Sequence, residues 1–408
     1  MKILFYSLYY SPELTATGKY NGEMIEWLAD KGHQIDVITA HPFYPEWKIK
    51  SEYKGKGWFT EIQDKVRIFR TPLYVPEKVT GKTRILHELS FGFSSLYAWI
   101  PRFFYKYDIV ICVCPPLQMG VLPILYKKIR KSPVVFHIQD LQVDAAKELN
   151  LVKSSLLLNS LECIERWILK NATIVSSISI GMKKKIVAKG IDASKFFMLE
   201  NWVDTNFIKP VSKENSLKKS LGFDEKDRIV LYSGNLGEKQ GLEILLEVAK
   251  KLSIYDNIKV VLCGEGALKP KLQEKVKEMK IKNVYFLSLQ PYEKLSEFLS
   301  IADLHLVLQK KAASDLVMPS KLTTILGVGG VAIVSAMPNT NLFEVISEHN
   351  IGIIIDPENA VALYESIIKN INNDNLKIKA NARSYAESNL NRDNILGRFN
   401  DLIIKICS

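Results

Sequence analysis

Residues 229–249 read IVLYSGNLGEKQGLEILLEVA, a strand, a glycine turn and a helix in immediate succession. Ile229 to Tyr232 form a continuous apolar run of strand length, and Leu242, Leu245, Leu246, Ala249 and Leu252 recur at helical spacing on one face. Between them Gly234, Gly237 and Gly241 leave room for a ligand to approach the backbone, and amides that open a helix favour an anion. Lys239 puts positive charge where the helix dipole favours negative charge, a conflict that a bound phosphate would resolve. The competing reading is an ordinary strand-to-helix turn with a solvated lysine.

Outward from this stretch, strand-like runs alternate with helical periodicity along the whole chain, the pattern of parallel sheets covered on both faces. The first half offers strands at 2–7, 34–39, 66–70, 108–113, 133–137 and 173–178, with a helix from about 20 to 31 joining the first two. The second offers 228–233, 258–263, 284–287, 304–308, 331–335 and 352–355. Periodicity lapses in NWVDTNFIKPVSKENS, 201–216, which predicts a linker. The expected architecture is α/β: two tandem Rossmann-like, doubly wound parallel-sheet domains facing a cleft. Their spans are 1–205 and 206–380, followed by a helical tail over 381–408. That tail either crosses back to the first domain or stays free on the second.

A chain of 408 residues exceeds one ordinary core, and 47% apolar with 24% charged residues is globular composition. Cys112, Cys114, Cys163, Cys263 and Cys407 lack metal-ligand spacing and read as buried, reduced thiols of a cytosolic protein. MKILFYSLYYSPE reaches proline and glutamate before any small-residue cleavage site, so it reads as a core strand rather than a signal peptide. No run approaches the ~18 apolar residues of a spanning helix.

The net charge of +11 is uneven: 28 basic against 20 acidic residues up to 205, and 27 against 24 beyond. A basic first half suits anionic lipid or a polyanionic substrate, and nucleic acid is disfavoured because no recognition motif accompanies the charge. The stretch TRILHELSFGFSSLYAWIPRFFYKYD, 83–108, sets Trp99, Phe103, Phe104 and Tyr105 among Arg84, Arg102 and Lys106. It reads either as an interfacial membrane segment or as a buried crossover helix with cationic ends.

Ligands of parallel sheets bind outside the carboxyl ends of strands. The loop after the first strand carries Gly18 and Lys19. HIQD after 133–137 sets His137 and Asp140 as a candidate catalytic pair or as a satisfied polar pair. CGEG after 258–263 sets Gly264, Glu265 and Gly266, either a nucleotide loop or only a turn. MPSKL, with Pro319, Ser320, Lys321 and Leu322, opens a helix after 304–308. Glycine loops together with Lys239 and Lys321 describe a diphosphate site, and no Asp-x-Asp pair or His/Cys cluster is present to hold a metal.

The run YSPELTATGKYNGEMIEWLADKGHQIDVITAHPFYPEW, with HIQDL, NWVD, SGNLGEKQGLE, CGEG and MPSKL, resembles a bacterial GT-B glycosyltransferase of family GT4. More narrowly it is similar to the fucosyl and N-acetyl-fucosaminyl transferases of colanic acid, O-antigen and capsule assembly. The resemblance implies a UDP- or GDP-sugar donor on the second domain, a polyprenyl-diphosphate-linked saccharide on the first, and a peripheral place on the cytoplasmic membrane face. No cofactor is expected, and the lack of a metal-holding motif predicts that transfer needs no metal. Gly18 then matches the glycine loop near the donor diphosphate, His137 with Asp140 the polar position facing the transferred sugar, and Lys239 the diphosphate lysine. Gly234 and Asn235 open that loop, Asn235 standing where the family usually has arginine. Gly264, Glu265 and Gly266 match the loop beside the nucleotide, and Pro319, Ser320, Lys321 and Leu322 the loop near the donor. Where many members carry two glutamates eight positions apart, this chain has Leu316 and Thr324, with Asp315 beside the first. A non-transferring sugar-nucleotide epimerase and a catalytically silent nucleotide-sugar-binding subunit are the alternatives.

Overall fold

The computed structural model describes residues 1–13, 15–148, 154–311 and 319–408. It divides into two units, Met1–Glu200 with Ile395–Ser408, and Asn201–Asn394.

The first unit holds eight strands: β1 (Lys2–Tyr6), β2 (Gln34–Ala40), β3 (Phe59–Gln63), β4 (Val66–Thr71), β5 (Ile109–Cys114), β6 (Val134–Ile138), β7 (Ile174–Ser177) and β8 (Phe196–Met198). Their order is β3-β4-β2-β1-β5-β6-β7-β8, and every pairing is parallel except β3 with β4. Helices α1 (Ala16–Asp30), α2 (Gly81–Arg102), α3 (Val121–Arg130), α4 (Gln142–Glu148), α5 (Ser155–Asn171) and α6 (Ile180–Ala188) connect them. β5 and β6 are buried at every position, as central parallel strands covered on both faces must be. The polar edge strand β3 and the three-residue β8 lack that apolar run, which is why periodicity did not reveal them.

The second unit holds β9 (Arg228–Ser233), β10 (Ile258–Cys263), β11 (Val284–Leu287), β12 (Leu304–Val307), β13 (Ala332–Ser335) and β14 (Ile353–Ile355), all parallel, in the order β11-β10-β9-β12-β13-β14. This is the Rossmann order, whose direction reverses between β9 and β12. Its helices are α7 (Glu243–Leu252), α8 (Lys269–Glu278), α9 (Leu295–Leu299), α10 (Ser320–Gly327), α11 (Asn341–His349), α12 (Ala360–Asn370) and α13 (Leu376–Asn389), and α14 (Arg392–Cys407) follows. Strand alternation splits the core in two. Ile229 and Leu231 join one apolar cluster, and Val230 and Tyr232 join the other with Leu245, Leu246, Ala249 and Leu252 of α7.

Several sequence expectations need correction. The predicted linker is packed: Val203 and Ile208 are fully buried in the second unit's core, which puts the division at Glu200 rather than at 205. The crossing element is α14 alone and not the whole span from 381, because Ala382, Ala386 and Leu390 pack into the second unit. From Ile395 the chain belongs to the first unit, with Phe399 against Phe197 and Asn400 bonded to His33. Cys163 is exposed rather than buried. In α2, Trp99 is fully buried, whereas Phe93 is 71% exposed. The buried-helix reading therefore holds for the inner face only. Among the described residues no helix is long and apolar enough to cross a membrane.

Candidate active site

In the second unit the expected loops gather at the carboxyl ends of β9, β10 and β12, on either side of the point where strand order reverses. Gly234 follows β9 and Gly264 follows β10. The two loops lie backbone to backbone, with the amide of Gly234 donating to the Cys263 carbonyl (2.9 Å) and that of Leu236 to the Glu265 carbonyl (2.8 Å). A Cβ on Gly264 would lie 1.9 Å from the Gly234 carbonyl oxygen, and one on Gly266 would lie 2.4 Å from that of Leu236. These two glycines are needed for the close approach of the neighbouring loop. Glu265 is engaged by Lys269 at 2.6 Å, one helical turn on.

Lys321 is the unusual group. Its Nζ is buried, has no hydrogen-bond partner among the described residues, and lies 3.6 Å from the centroid of the Tyr232 ring. Burial pulls its pKa down to about 7. The same Nζ comes 2.9 Å from where a Gly234 Cβ would stand, so the bare glycine admits the lysine. Lys321 is the second residue of α10, whose N-cap is Pro319 and whose first turn has no side-chain cap. Ser320 and Lys321 thus set a cation at a helix start without a side-chain cap, a combination suited to an anion. Leu322 is core at 1% exposure and contributes packing rather than ligand contact. The Thr324 hydroxyl bonds to the Lys321 carbonyl (3.0 Å). Asp315 and Leu316 lie outside the described residues.

Lys239 is exposed and sits in a short 3-10 turn, Glu238–Gln240, so it precedes α7 rather than opening it. Gly241 takes φ 61° to link that turn to the helix. The Lys239 carbonyl accepts the Lys310 amide (2.8 Å), and Lys310 pairs with Glu238 (3.6 Å), which ties this loop to the chain after β12. Asn235 is exposed, and its carbonyl accepts the Tyr232 hydroxyl (2.7 Å). Tyr232 and Lys310 escaped sequence reading because one looked like strand and the other like a solvated charge.

In the first unit Gly18 lies inside α1, not in a loop before it. Its amide donates to the Thr15 hydroxyl (2.9 Å), and a Cβ there would meet the Glu13 carbonyl at 2.9 Å. That amide is therefore spoken for. His137 sits in β6 with 1% exposure, its Nδ1 3.0 Å from Ser176 Oγ while Gln139 Nε2 donates to its Nε2 (2.8 Å). Burial pushes its pKa down to about 3, so it stays neutral, and its bonds go to Ser176 and Gln139 rather than to Asp140. It fits the satisfied polar residue better than the catalytic partner. Asp140 is half-buried in the loop beyond. Glu13, unremarked in the sequence, accepts the amides of Phe43 and Tyr44, and burial raises its carboxyl to about 7.

Two doubly wound units, the second in Rossmann order with basic loops at its reversal point, are the build of a GT-B glycosyltransferase. The chain belongs to the group 1, GT4-like glycosyltransferases. Residues 15–202 match the glycosyl transferase 4-like domain and residues 213–388 the glycosyl transferases group 1 family. The chain is 38% identical, over 98% of its length and 100% of the relative's, to a putative colanic acid biosynthesis glycosyl transferase, WcaI, of Escherichia coli K12. In fold it is similar to sucrose-phosphate synthase of Thermosynechococcus elongatus (TM-score 0.74, 17% identity, 99% of this chain and 98% of that one). It is likewise similar to Anabaena HepE in complex with UDP (TM-score 0.73, 15% identity, 99% of this chain and 100% of that one).

Proposed function

We propose that this glycosyltransferase moves a deoxyhexose or N-acetylated deoxyhexose, of L-fucosamine type, from a UDP- or GDP-sugar to a polyprenyl-diphosphate-linked saccharide. The setting is bacterial surface polysaccharide synthesis at the inner face of the cytoplasmic membrane. The observation that carries the donor reading is Lys321, whose buried Nζ lacks a hydrogen-bond partner among the described residues at the strand-order reversal, where a nucleotide diphosphate would supply an anion. The Escherichia coli relative supports the polysaccharide setting, and Anabaena HepE, solved with UDP and with UDP-glucose, supports a nucleotide-sugar donor.

In this account the acceptor hydroxyl oxygen bonds to the sugar's C1 as the C1–O bond to the diphosphate breaks, the electron pair leaves with the β-phosphate, and the hydroxyl proton passes to that departing phosphate oxygen. Lys321, Lys239 and the start of α10, which has no side-chain cap, balance the charge that develops there, in place of a metal or cofactor. His137, neutral and engaged at both nitrogens, orients Gln139 and takes no proton. The test is to incubate purified protein with a panel of nucleotide sugars, with and without undecaprenyl-diphosphate-linked GlcNAc. Product that needs both donor and acceptor supports transfer. An altered donor sugar without acceptor indicates the epimerase, and binding without turnover indicates the silent subunit.

A further inference from the structure

Helix α2 has two apolar faces, and only one of them is used inside the unit. His87, Phe91, Ser95, Ala98 and Trp99 point inward and are buried. On the other side Leu86, Leu89, Phe93, Leu96, Tyr97 and Ile100 recur at helical spacing with exposures from 36% to 71%. At 1.5 Å per residue this stripe runs for about 21 Å. Trp58 extends it from a neighbouring loop. Its ring lies 5.2 Å from that of Tyr97 and its indole N–H donates to the Ser94 carbonyl (2.9 Å), which holds a half-exposed indole at the surface. A contiguous apolar surface of this kind on a folded chain marks an interaction site.

The charge around the stripe narrows the occupant. Exposed Lys78 and Lys82 stand at its N-terminal end, with Glu77 beside the first, and exposed Lys106 lies beyond its other end, two residues before Asp108. Arg84 lies on the inner side of the helix instead, bonded to buried Glu88 at 3.2 Å and acting on Tyr9 and Asp140, and is not part of this surface. The one acidic residue between Ile85 and Tyr107 is Glu88, which is buried. An apolar stripe with a tryptophan and a tyrosine, flanked by lysines and free of exposed carboxylates along its own length, complements an anionic bilayer surface.

We infer that the outer face of α2, with Trp58, is the element that seats this protein on an anionic membrane. The apolar stripe enters the interfacial layer, and Lys78, Lys82 and Lys106 meet lipid phosphates. This deepens the peripheral placement proposed above and rests on it for the identity of the acceptor. The vesicle experiment below contains neither donor nor acceptor, so its failure and the failure of the transfer reading are separate results.

The test is co-sedimentation of the full-length protein with phosphatidylcholine vesicles containing either no anionic lipid or roughly one third phosphatidylglycerol, at low and at physiological ionic strength. Binding is expected to the anionic vesicles and to weaken with salt, whose screening length falls to about 8 Å at physiological strength. The triple variant Leu89→Ser, Phe93→Ser, Ile100→Ser should bind at least tenfold more weakly with little change in melting temperature, because these side chains are 41–71% exposed and lie outside the apolar core. Ile129→Ser, which alters an equally exposed side chain on α3, should bind like the parent. Replacing Lys78, Lys82 and Lys106 by glutamine should remove the preference for anionic vesicles. The inference is overturned if the parent ignores anionic vesicles at low salt, or if the serine variant binds as the parent does. It is also overturned if the serine variant instead abolishes a concentration-dependent dimer, which would make a second copy the occupant.

Discussion

The Nζ of Lys321 lies 3.6 Å from the centroid of the Tyr232 ring, buried at the carboxyl end of β9. A lysine held there without water is poised between charged and neutral, and this sets a dependence on pH. In the free protein it loses its proton as pH rises through about 7, the value to which burial has lowered it. A bound diphosphate favours the protonated form, so binding above pH 7 takes up a proton. UDP affinity should therefore fall between pH 6.5 and 8.5, by up to about tenfold per unit. Calorimetric titration in buffers of different ionisation enthalpy reads the proton directly. Lys321→Met should remove both the uptake and the slope, and should weaken binding at pH 6.5 at least tenfold, as expected for a charge-assisted contact worth roughly 1.5–3 kcal/mol.

Lys239 presents the opposite case, an exposed side chain on a loop fixed by its backbone. Lys239→Ala should leave the unfolding midpoint within about 0.5 kcal/mol of the parent, the usual range for a surface change. Donor affinity or turnover should nevertheless fall at least tenfold. Unchanged kinetics would exclude its contact with phosphate.

Gly264 tests whether the site depends on the fit of its two loops. Gly264→Ala puts a methyl group 1.9 Å from the Gly234 carbonyl oxygen at φ 150°, so the loops must part. Stability should drop by at least about 2 kcal/mol in urea unfolding, with donor binding lost alongside. Gly57→Ala, with nothing within 4 Å of the new methyl and no positive φ, is the matched control and should change neither.

Glu13 should leave a mark on stability rather than on chemistry. Its carboxyl is raised to about 7 in the folded protein, so the folded state holds a proton that the unfolded chain releases near its ordinary value of 4.5. Stability should then decline as pH rises between about 4.5 and 7, by up to about 1.4 kcal/mol per unit from this group. Urea midpoints measured across that window should flatten in Glu13→Gln. An unaltered profile would show that the carboxylate is held ionised by the amides of Phe43 and Tyr44.

Transfer is expected to persist in excess EDTA, because Lys239, Lys321 and the uncapped start of α10 offer the charge that a leaving diphosphate requires. Product formation with EDTA, set against added magnesium, decides. Complete loss restored by magnesium would overturn the lysine account and make Asp315 the first residue to mutate.

Periodicity alone located β9, β10 and the two-unit plan, because a parallel strand covered on both faces must be apolar throughout and its helix must show one apolar stripe. The motif residues also placed the basic and glycine loops at strand ends. Their purposes depended on what lies across from them, which linear order does not contain. Gly264 and Gly266 serve the facing loop, and the Gly18 amide is capped by the Thr15 hydroxyl of its own helix. His137 is satisfied within the sheet, while Lys321 is stripped of water by Tyr232 and its surroundings. The same holds for 83–108, where apolar side chains surround the helix and composition cannot say which will be covered. Packing against the sheet buried Trp99 and left Phe93 outside, since a helix can turn only one face to a core.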